Sequence, residues 1–373
     1  MGGGAQLSGQ ELNDLLRPHA EALVWTIFPA ARRDGAYLCV GSLDGEPGQS
    51  LKVKVKGHDA GRWADYAMSD SDPRGKGDLI KLLALTVGGG DIAQGFAHAR
   101  RYLNLDTMDP KALERQRERA ARAAQRAKRE AADEQEKKRR DAEGLWLSGS
   151  PLTPSSPPVR YLLGRGIDLR ELGKLPGAIR FHHAVWHDHL KRKLPAMVTK
   201  CQTLDGRHAA THVTYLDLRG GGWRKLGDYA LPEGETKRRQ KIIRGPAYSL
   251  GAHIQLWKGA VPGKLCDMPE GSAVECSEGI EDGLSYAMAN RGARVLAAGT
   301  LGIIGELRLP PTVSRFNILA QNDADPEPIA ALEDAIRKQQ LRAKAEGIVR
   351  TIGQRRPPVG IKDWNDWLRG AGA

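Results

Sequence analysis

Three groups of carboxylates stand out in the last hundred residues: Glu278 with Glu281 and Asp282, then Asp323 with Asp325, then Asp363 with Asp366. Each follows a short run of strand-like composition. Glu278 and Asp282 are four residues apart, which puts both on one face of a helical step. Asp323 and Asp325 have the two-residue spacing that points both side chains to one side of an extended backbone. Carboxylates gathered in this way repel one another unless a divalent cation lies between them. Oxygen-only donors suit Mg2+ or Mn2+, and two such ions can hold the attacking and leaving oxygens of a phosphoryl transfer. Asp and Glu also serve at helix N-termini, a role open to Asp325 ahead of Pro326. Spacing alone leaves both roles open.

For the first two groups to meet, the strands ahead of them must run parallel. Residues 272–276, 294–298, 315–320 and 348–352 read as strands, and 281–290 and 328–345 as helices. That alternation predicts a parallel sheet with crossover helices. In such sheets ligands bind at the carboxyl ends of the strands. The fold class is therefore α/β at the C-terminal end, 269–373. It is preceded by an α+β basic subdomain over 148–268, with short strands at 196–199, 212–216 and 253–256.

That subdomain gathers Arg219, Arg224, Lys225, Lys237, Arg238, Arg239, Lys241 and Arg244, with Trp223, Tyr229 and Tyr248 interleaved. Cations bind phosphate and aromatic faces stack on bases, so the region reads as facing nucleic acid. Lys225, Lys237, Arg238 and Lys241 are the candidate contacts to template or triphosphate. His182, His183, His187 and His189 lie close together, but no carboxylate–His–Cys framework accompanies them. They read as exposed loop residues or phosphate contacts.

At the other end, Ser8 and Glu11 form a capping box ahead of a helix over 12–23. Alternating runs at 36–40 and 51–55 read as strands, 63–66 offers a third, and Asp91 caps a helix ending near 105. Residues 1–108 thus form a small α+β module. Residues 109–147, almost wholly Ala, Arg, Lys, Glu, Gln and Asp, read as a charged helical linker held by i,i+4 pairs.

Composition sets the frame. The chain has 373 residues, 57 Lys and Arg against 45 Asp and Glu, and a net charge of +12. Forty per cent apolar residues suffice for packed cores, and a mean hydropathy of -0.48 fits neither a membrane protein nor a mostly disordered chain. The opening Met-Gly-Gly-Gly-Ala-Gln lacks a signal-peptide layout, so a cytoplasmic location and no membrane partner are expected. Four scattered cysteines argue against a zinc knuckle, and zinc is not expected. The positive balance favours a polyanionic partner without saying which.

Glu278-Gly-Ile-Glu-Asp282, Gly299-Thr300, Asp323-Ala-Asp325 and Lys362-Asp363-Trp-Asn-Asp366, in that order, resemble the motif set of the Toprim domain. That domain is shared by DnaG-type primases, topoisomerases and OLD-family nucleases, and the primase forms of the first and last motifs are especially close. The resemblance implies that Glu278, Asp323 and Asp325 are metal-linked acids and Asp282 a supporting acid, with Lys362 and Asp363 forming the last motif. Residues 160–167, 179–182, 195–198 and 214–217 look like the segment ahead of Toprim in primase-like proteins of phages and integrated elements. Residues 61–66 and 77–80 are similar to the end of the zinc-binding module of such proteins, without its zinc ligands.

The activity this implies is DNA primase: metal-dependent joining of ribonucleoside triphosphates on a single-stranded DNA template. No Gly-x4-Gly-Lys-Ser/Thr occurs, so a separate replicative helicase is the implied partner. A Toprim nuclease and a catalytically silent DNA-binding accessory protein are the alternatives.

Overall fold

The computed structural model describes residues 7–68, 72–233, 235 and 237–370, and the chain divides into two compact units, up to Glu134 and from Gln135. In the first, the Ser8 hydroxyl accepts from the Glu11 amide and the Glu11 carboxylate accepts from the Ser8 amide, closing the capping box on α1 (Gly9–Leu16). The expected single helix over 12–23 is two. Arg17-Pro18-His19 tightens into a 3-10 turn before α2 (Ala20–Ile27), because Pro18 has no N–H to continue the ladder.

Strands β1 (Arg32–Asp34), β2 (Tyr37–Val40), β3 (Leu51–Lys54), β4 (Trp63–Asp65) and β5 (Lys76–Gly77) form an antiparallel meander in chain order. Helices α3 (Leu79–Thr86) and α4 (Ile92–Tyr102) pack on it, joining Leu79, Leu82 and Ala99 to Leu38, Val53 and Trp63 in one core. Helix α5 (Pro110–Leu147) carries the division between the units.

From Gln135 onward α5 is not a solvated linker. Arg139 donates to Glu136, Glu143 and the His208 carbonyl. The Trp146 indole N–H donates to the Ala178 carbonyl at 2.8 Å, and the Arg180 guanidinium lies 3.9 Å from the Trp146 ring. A few aromatic and small residues, Trp146 and the buried Ala142 among them, dock this stretch although its composition is that of a solvated helix.

The second unit holds two sheets. The first is antiparallel: β6 (Ser150–Pro151), β7 (Ile179–His187), β8 (Arg192–Gln202), β9 (His208–Arg219), β10 (Gly222–Lys225) and β11 (Lys241–Arg244), with β10 and β11 sharing one edge of β9. Helix α6 (Pro157–Gly164) packs on it.

Strand β12 (Ile254–Trp257) leaves this region and joins the second sheet, which also contains β13 (Ser272–Ser277), β14 (Val295–Ala297), β15 (Val313–Leu319) and β16 (Thr351–Arg355). Strand β13 runs parallel to β14 and β15, and β15 parallel to β16, as the alternation predicted; β12 adds an antiparallel edge. Strand β16 begins three residues later than expected. The crossovers are α7 (Ile280–Ala289), α8 (Leu301–Glu306) and α9 (Pro326–Ala345), and α10 (Trp364–Leu368) closes the chain.

Register decides the site. Ser277 pairs with both Ala297 and Leu319, and Leu319 with Arg355, so the four parallel strands end level and their outgoing loops share one edge. One apolar core runs under both sheets, from Val159 and Leu162 to Phe316 and Trp364, so 148–268 and 269–373 pack as a single unit.

At the far side of this sheet, the buried Gln339 amide of α9 donates to the carbonyls of Ile304, Gly305 and Leu307, the orphan acceptors at the end of α8. Gln339→Leu removes all three donations and leaves the Ile304 carbonyl only the Leu307 amide, at 3.2 Å. We expect a loss of about 1–3 kcal/mol in urea unfolding; an unchanged midpoint would show the cap to be dispensable.

Candidate active site

The acidic edge begins where β13 ends. The Ser277 hydroxyl donates to the Gly279 carbonyl at 2.7 Å, and Gly279 stands as N-cap of α7 with extended backbone. This turn leaves Glu278 at the rim and puts Glu281 and Asp282 in the first helical turn, where the helix dipole favours negative charge. Gly283 permits the helix to approach: a Cβ there would lie 2.5 Å from both Leu256 Cδ1 and Ser277 Oγ.

Apart from Asp366, in the first turn of α10, the acids fall into two sets. In the first, every carboxylate is held. Glu281 Oε1 accepts from the Tyr161 hydroxyl at 2.6 Å, and Oε2 lies 3.6 Å from Lys241 Nζ. Burial pushes the Glu281 carboxyl up, but Lys241 and Tyr161 together outweigh it and bring it down to about 2. Asp282 accepts from Gln321 Nε2 at 2.7 Å and from the Asn365 amide at 3.4 Å. Asp363 caps α10 by accepting from the Asp366 amide at 2.8 Å.

The second set is Glu278, Asp323 and Asp325, and among the described residues none of these three carboxylates has a hydrogen-bond or ion-pair partner. Burial raises the Glu278 carboxyl above its ordinary range; Lys241 opposes the rise, while Asp282 and Asp323 add to it. Asp325 occupies the N-cap position of α9, yet its side chain makes no capping bond. Glu278 and Asp323 line one small hollow, and Asp323 and Asp325 share a groove of about 460 Å3 with Lys362. The Asn322 amide, donating to the carbonyls of Pro357, Pro358 and Ile361, pins the Lys362 segment alongside that loop.

The donor chemistry fits a hard divalent cation that keeps most of its water: oxygen atoms only, partly solvated, and unclaimed by other groups. It is not a closed cage. Among the described residues, no three His, Cys, Asp or Glu side chains are grouped to hold a metal ion.

Beside this edge opens a cleft of about 790 Å3, a size typical of small-molecule sites. Glu278, Glu281, Asp282 and Asp363 supply its negative charge, and Lys225 and Lys241 are among the cations that line it. Lys225 is half-buried, and desolvation, reinforced by nearby Lys241, lowers its pKa. Lys237 and Arg238 are not in the cleft. They sit on the long loop between β10 and β11, where Arg238 donates to the Tyr229 carbonyl at 3.0 Å and lies 3.6 Å from Asp228.

The cleft also recruits Arg224 of the basic set and Arg160 and Arg165 of the 160–167 segment, together with three residues with no sequence expectation attached, Arg369, His212 and Gln321. Tyr161 and Arg165 had a signal, since four residues on α6 and its cap place them on one face. Arg369 and His212 had none, being brought in by pairing and packing alone. Among the described residues Arg160, Arg165, Arg224, Arg369 and Lys225 have no ion-pair partner.

The histidine cluster also differs from expectation. His187 is fully buried; its Nδ1 accepts from the Leu190 amide at 3.1 Å and its Nε2 lies 3.2 Å from the Arg239 carbonyl. His189, its side chain 4% exposed, lies 3.2 Å from the Tyr229 hydroxyl. These two anchor the β7–β8 turn to the β10–β11 loop and are not exposed contacts. Tight turns can point alternate side chains inward, which composition does not reveal.

Burial raises the Asp282 carboxyl to about 6, with Asp363 and Glu281 adding to the rise and Gln321 opposing it. A carboxyl raised above its unfolded value of about 3.9 binds its proton more tightly when folded, so stability is lost as pH rises through the folded value. The wild type should therefore lose stability relative to Asp282→Asn between about pH 4 and pH 6 and level off above. Urea titrations at three pH values check this; parallel curves would assign Asp282 no such titration.

Against known proteins, residues 136–237 match a family described as a domain of unknown function (DUF7146). No curated protein matches the chain. Among solved structures it is similar to the DnaG primase catalytic domain bound to ssDNA, at 14% identity over 65% of this chain and 77% of that one, with a TM-score of 0.40. It is similar to the Aquifex aeolicus primase (zinc-binding and RNA polymerase domains) at 11% identity over 98% and 83%, TM-score 0.36. The primase fragment of the bacteriophage T7 primase-helicase protein resembles it at 14% identity over 60% and 75%, TM-score 0.33. Among the described residues no helix is long and apolar enough to cross a membrane.

Proposed function

We propose that the chain is a metal-dependent DNA primase that joins ribonucleoside triphosphates on single-stranded DNA in the cytoplasm, beside a separate replicative helicase. One observation carries the reading: Glu278, a carboxylate without a donor, lines one cleft with cations that have no carboxylate, and lines the adjoining hollow with Asp323. That pairing suits a polyphosphate that brings its own countercharge to the acids and takes it from the basic wall. The ordered Toprim-like motifs support it, since Glu278, Asp323 and Asp325 are among the acids that the fold leaves unclaimed.

Glu278, Asp323 and Asp325 would hold Mg2+ or Mn2+, which when bound neutralises phosphate charge and favours attack of a 3′-hydroxyl on the α-phosphate. Lys225 and Lys241, with Arg160 and Arg165, hold the triphosphate and template phosphates against the acidic edge. Lys225, half-desolvated and unpaired, gains most from an anion. Asp282 and Asp363, already hydrogen-bonded, keep the α7 and α10 termini in place. Lys362 offsets the charge of Asp323 and Asp325.

The test incubates purified protein with single-stranded DNA, four ribonucleotides and Mg2+ or Mn2+, comparing wild type with Asp323→Ala. Labelled oligoribonucleotides from the wild type alone support the proposal. Shortened DNA instead would identify a nuclease using the same acids. No product, with DNA binding unchanged in the variant, would leave an accessory DNA-binding protein.

A further inference from the structure

His212 lies on β9, between Thr199 of β8 and Ile243 of β11, and lines the cleft although only 4% of it is exposed. Its Nδ1 is sealed from solvent and has no hydrogen-bond partner among the described residues; its Nε2 is not among the sealed, unpartnered atoms. The edge carrying Nε2 is turned toward Gly299: a Cβ on that glycine would stand 3.3 Å from His212 Cδ2 and 2.8 Å from Ile243 Cδ1. Gly299, with φ +89, follows β14 and bonds through its amide to the Glu278 carbonyl. The imidazole therefore occupies the space that a side chain at the start of the α8 turn would fill, and it faces the mouth where Glu278, Glu281 and Lys241 converge.

We propose that His212 binds the phosphate chain of a nucleotide in the cleft, donating its Nε2–H to a phosphate oxygen beside Lys225 and Lys241. A neutral imidazole carries one proton on one nitrogen. Placing it on the sealed Nδ1 would bury an N–H with no acceptor, so the free donor belongs at Nε2. Burial, reinforced by Lys241 and opposed by Glu281, holds the ring neutral to about pH 4. It is thus an uncharged donor that neither pairs with Glu281 nor changes with pH in the physiological range. An oxyanion at Nε2 supplies an acceptor for that N–H, which has none among the described residues.

This deepens the primase reading by assigning a phosphate contact, but its test does not depend on synthesis. Inorganic tripolyphosphate and a fluorescently labelled ATP are titrated against wild type, His212→Leu and His212→Gln, whose amide can replace the Nε2 donor. Loss of a hydrogen bond to a charged group should weaken both ligands about tenfold or more in the leucine variant. The glutamine variant should stay within about threefold of wild type. Leucine binding like wild type, or glutamine failing as badly as leucine, overturns the proposal, the latter by marking a purely packing role.

If the leucine variant does not fold, diethyl pyrocarbonate labelling of wild-type protein, read by peptide mass spectrometry, replaces it. Tripolyphosphate should shield His212, and equal labelling with and without it would overturn the assignment. A wild type that makes no primers but binds tripolyphosphate through His212 would defeat the polymerase reading and leave this contact standing. Primer synthesis unaffected by His212→Leu, with tripolyphosphate affinity unaltered, would do the reverse.

Discussion

Glu278→Gln should reduce ribonucleotide incorporation on single-stranded DNA by on the order of 10²–10³-fold, the range seen when one preorganised electrostatic contact to a reacting group is lost. The substitution keeps the shape of the side chain and removes only its charge. Glu278 has no hydrogen-bond donor to disappoint, and burial together with Asp282 and Asp323 already disfavours its ionised form against the pull of Lys241. Neutralising it should therefore leave stability at pH 7 unchanged or slightly higher. Activity and stability are expected to move in opposite directions, which is the mark of a charge retained for a ligand. A variant that synthesises primers as well as wild type would remove Glu278 from the chemistry. One that loses activity because its urea midpoint collapses would make Glu278 structural.

The second large effect is on the fold. Tyr161→Phe removes the hydroxyl that donates to Glu281 Oε1 at 2.6 Å, in a place where Tyr161 is 3% and Glu281 8% exposed. Hydrogen bonds to charged groups contribute about 1.5–3 kcal/mol, so a loss near 2 kcal/mol in chemical unfolding is expected at pH 7. The sign of its pH dependence follows from Glu281. Its folded pKa is depressed, so its stabilisation is fully present above the unfolded value and disappears as pH falls through the folded value of about 2. The gap between wild type and Tyr161→Phe should therefore narrow as pH is lowered toward 2. A gap that stays constant with pH would assign the effect to packing rather than to the carboxylate. Lys241 then remains the ion-pair partner of Glu281 among the described residues, at 3.6 Å, and less of it is free for an incoming phosphate.

Much of the acidic edge was legible because two local periodicities and one topological rule act together. Strand and helix patterns alternated strongly enough to imply parallel strands, and parallel strands deliver Glu278 and Asp323 to one edge whatever the details of packing. The cleft wall was only half legible. Lys225 and Lys241 end and begin strands that pair with β9, so their faces were fixed by regular structure. Lys237 and Arg238 sit in a loop whose path is set by part-buried contacts of Tyr229, His187 and His189 that no composition signals. Arg165, His212 and Arg369 meet only through long-range packing; the Asn365 amide, for one, donates to the Arg165 carbonyl across 200 positions of sequence. The docking of 135–147 was hidden for the same reason, since a stretch of charge with one tryptophan reads as solvated until its partner surface is known.

Strand β12 carries a practical consequence for dissecting this protein. Its four residues belong by sequence to the basic region, but they supply the outer strand against β14, and Ile254 and Leu256 are fully or almost fully buried beneath α7. A fragment expressed from residue 269 onward would bear the acidic motifs on a sheet whose β14 side is bare, with its backbone N–H and C=O groups open to any neighbouring chain. Such a fragment should self-associate, and its insolubility would say nothing about the motifs it carries. A fragment that begins ahead of β12, near residue 250, restores the missing strand but leaves behind Tyr161, so Glu281 loses its donor. The acidic edge can be isolated from its basic wall only at the expense of its outer strand or of the Tyr161 contact to Glu281, which makes the span from 135 onward the smallest sensible piece to express.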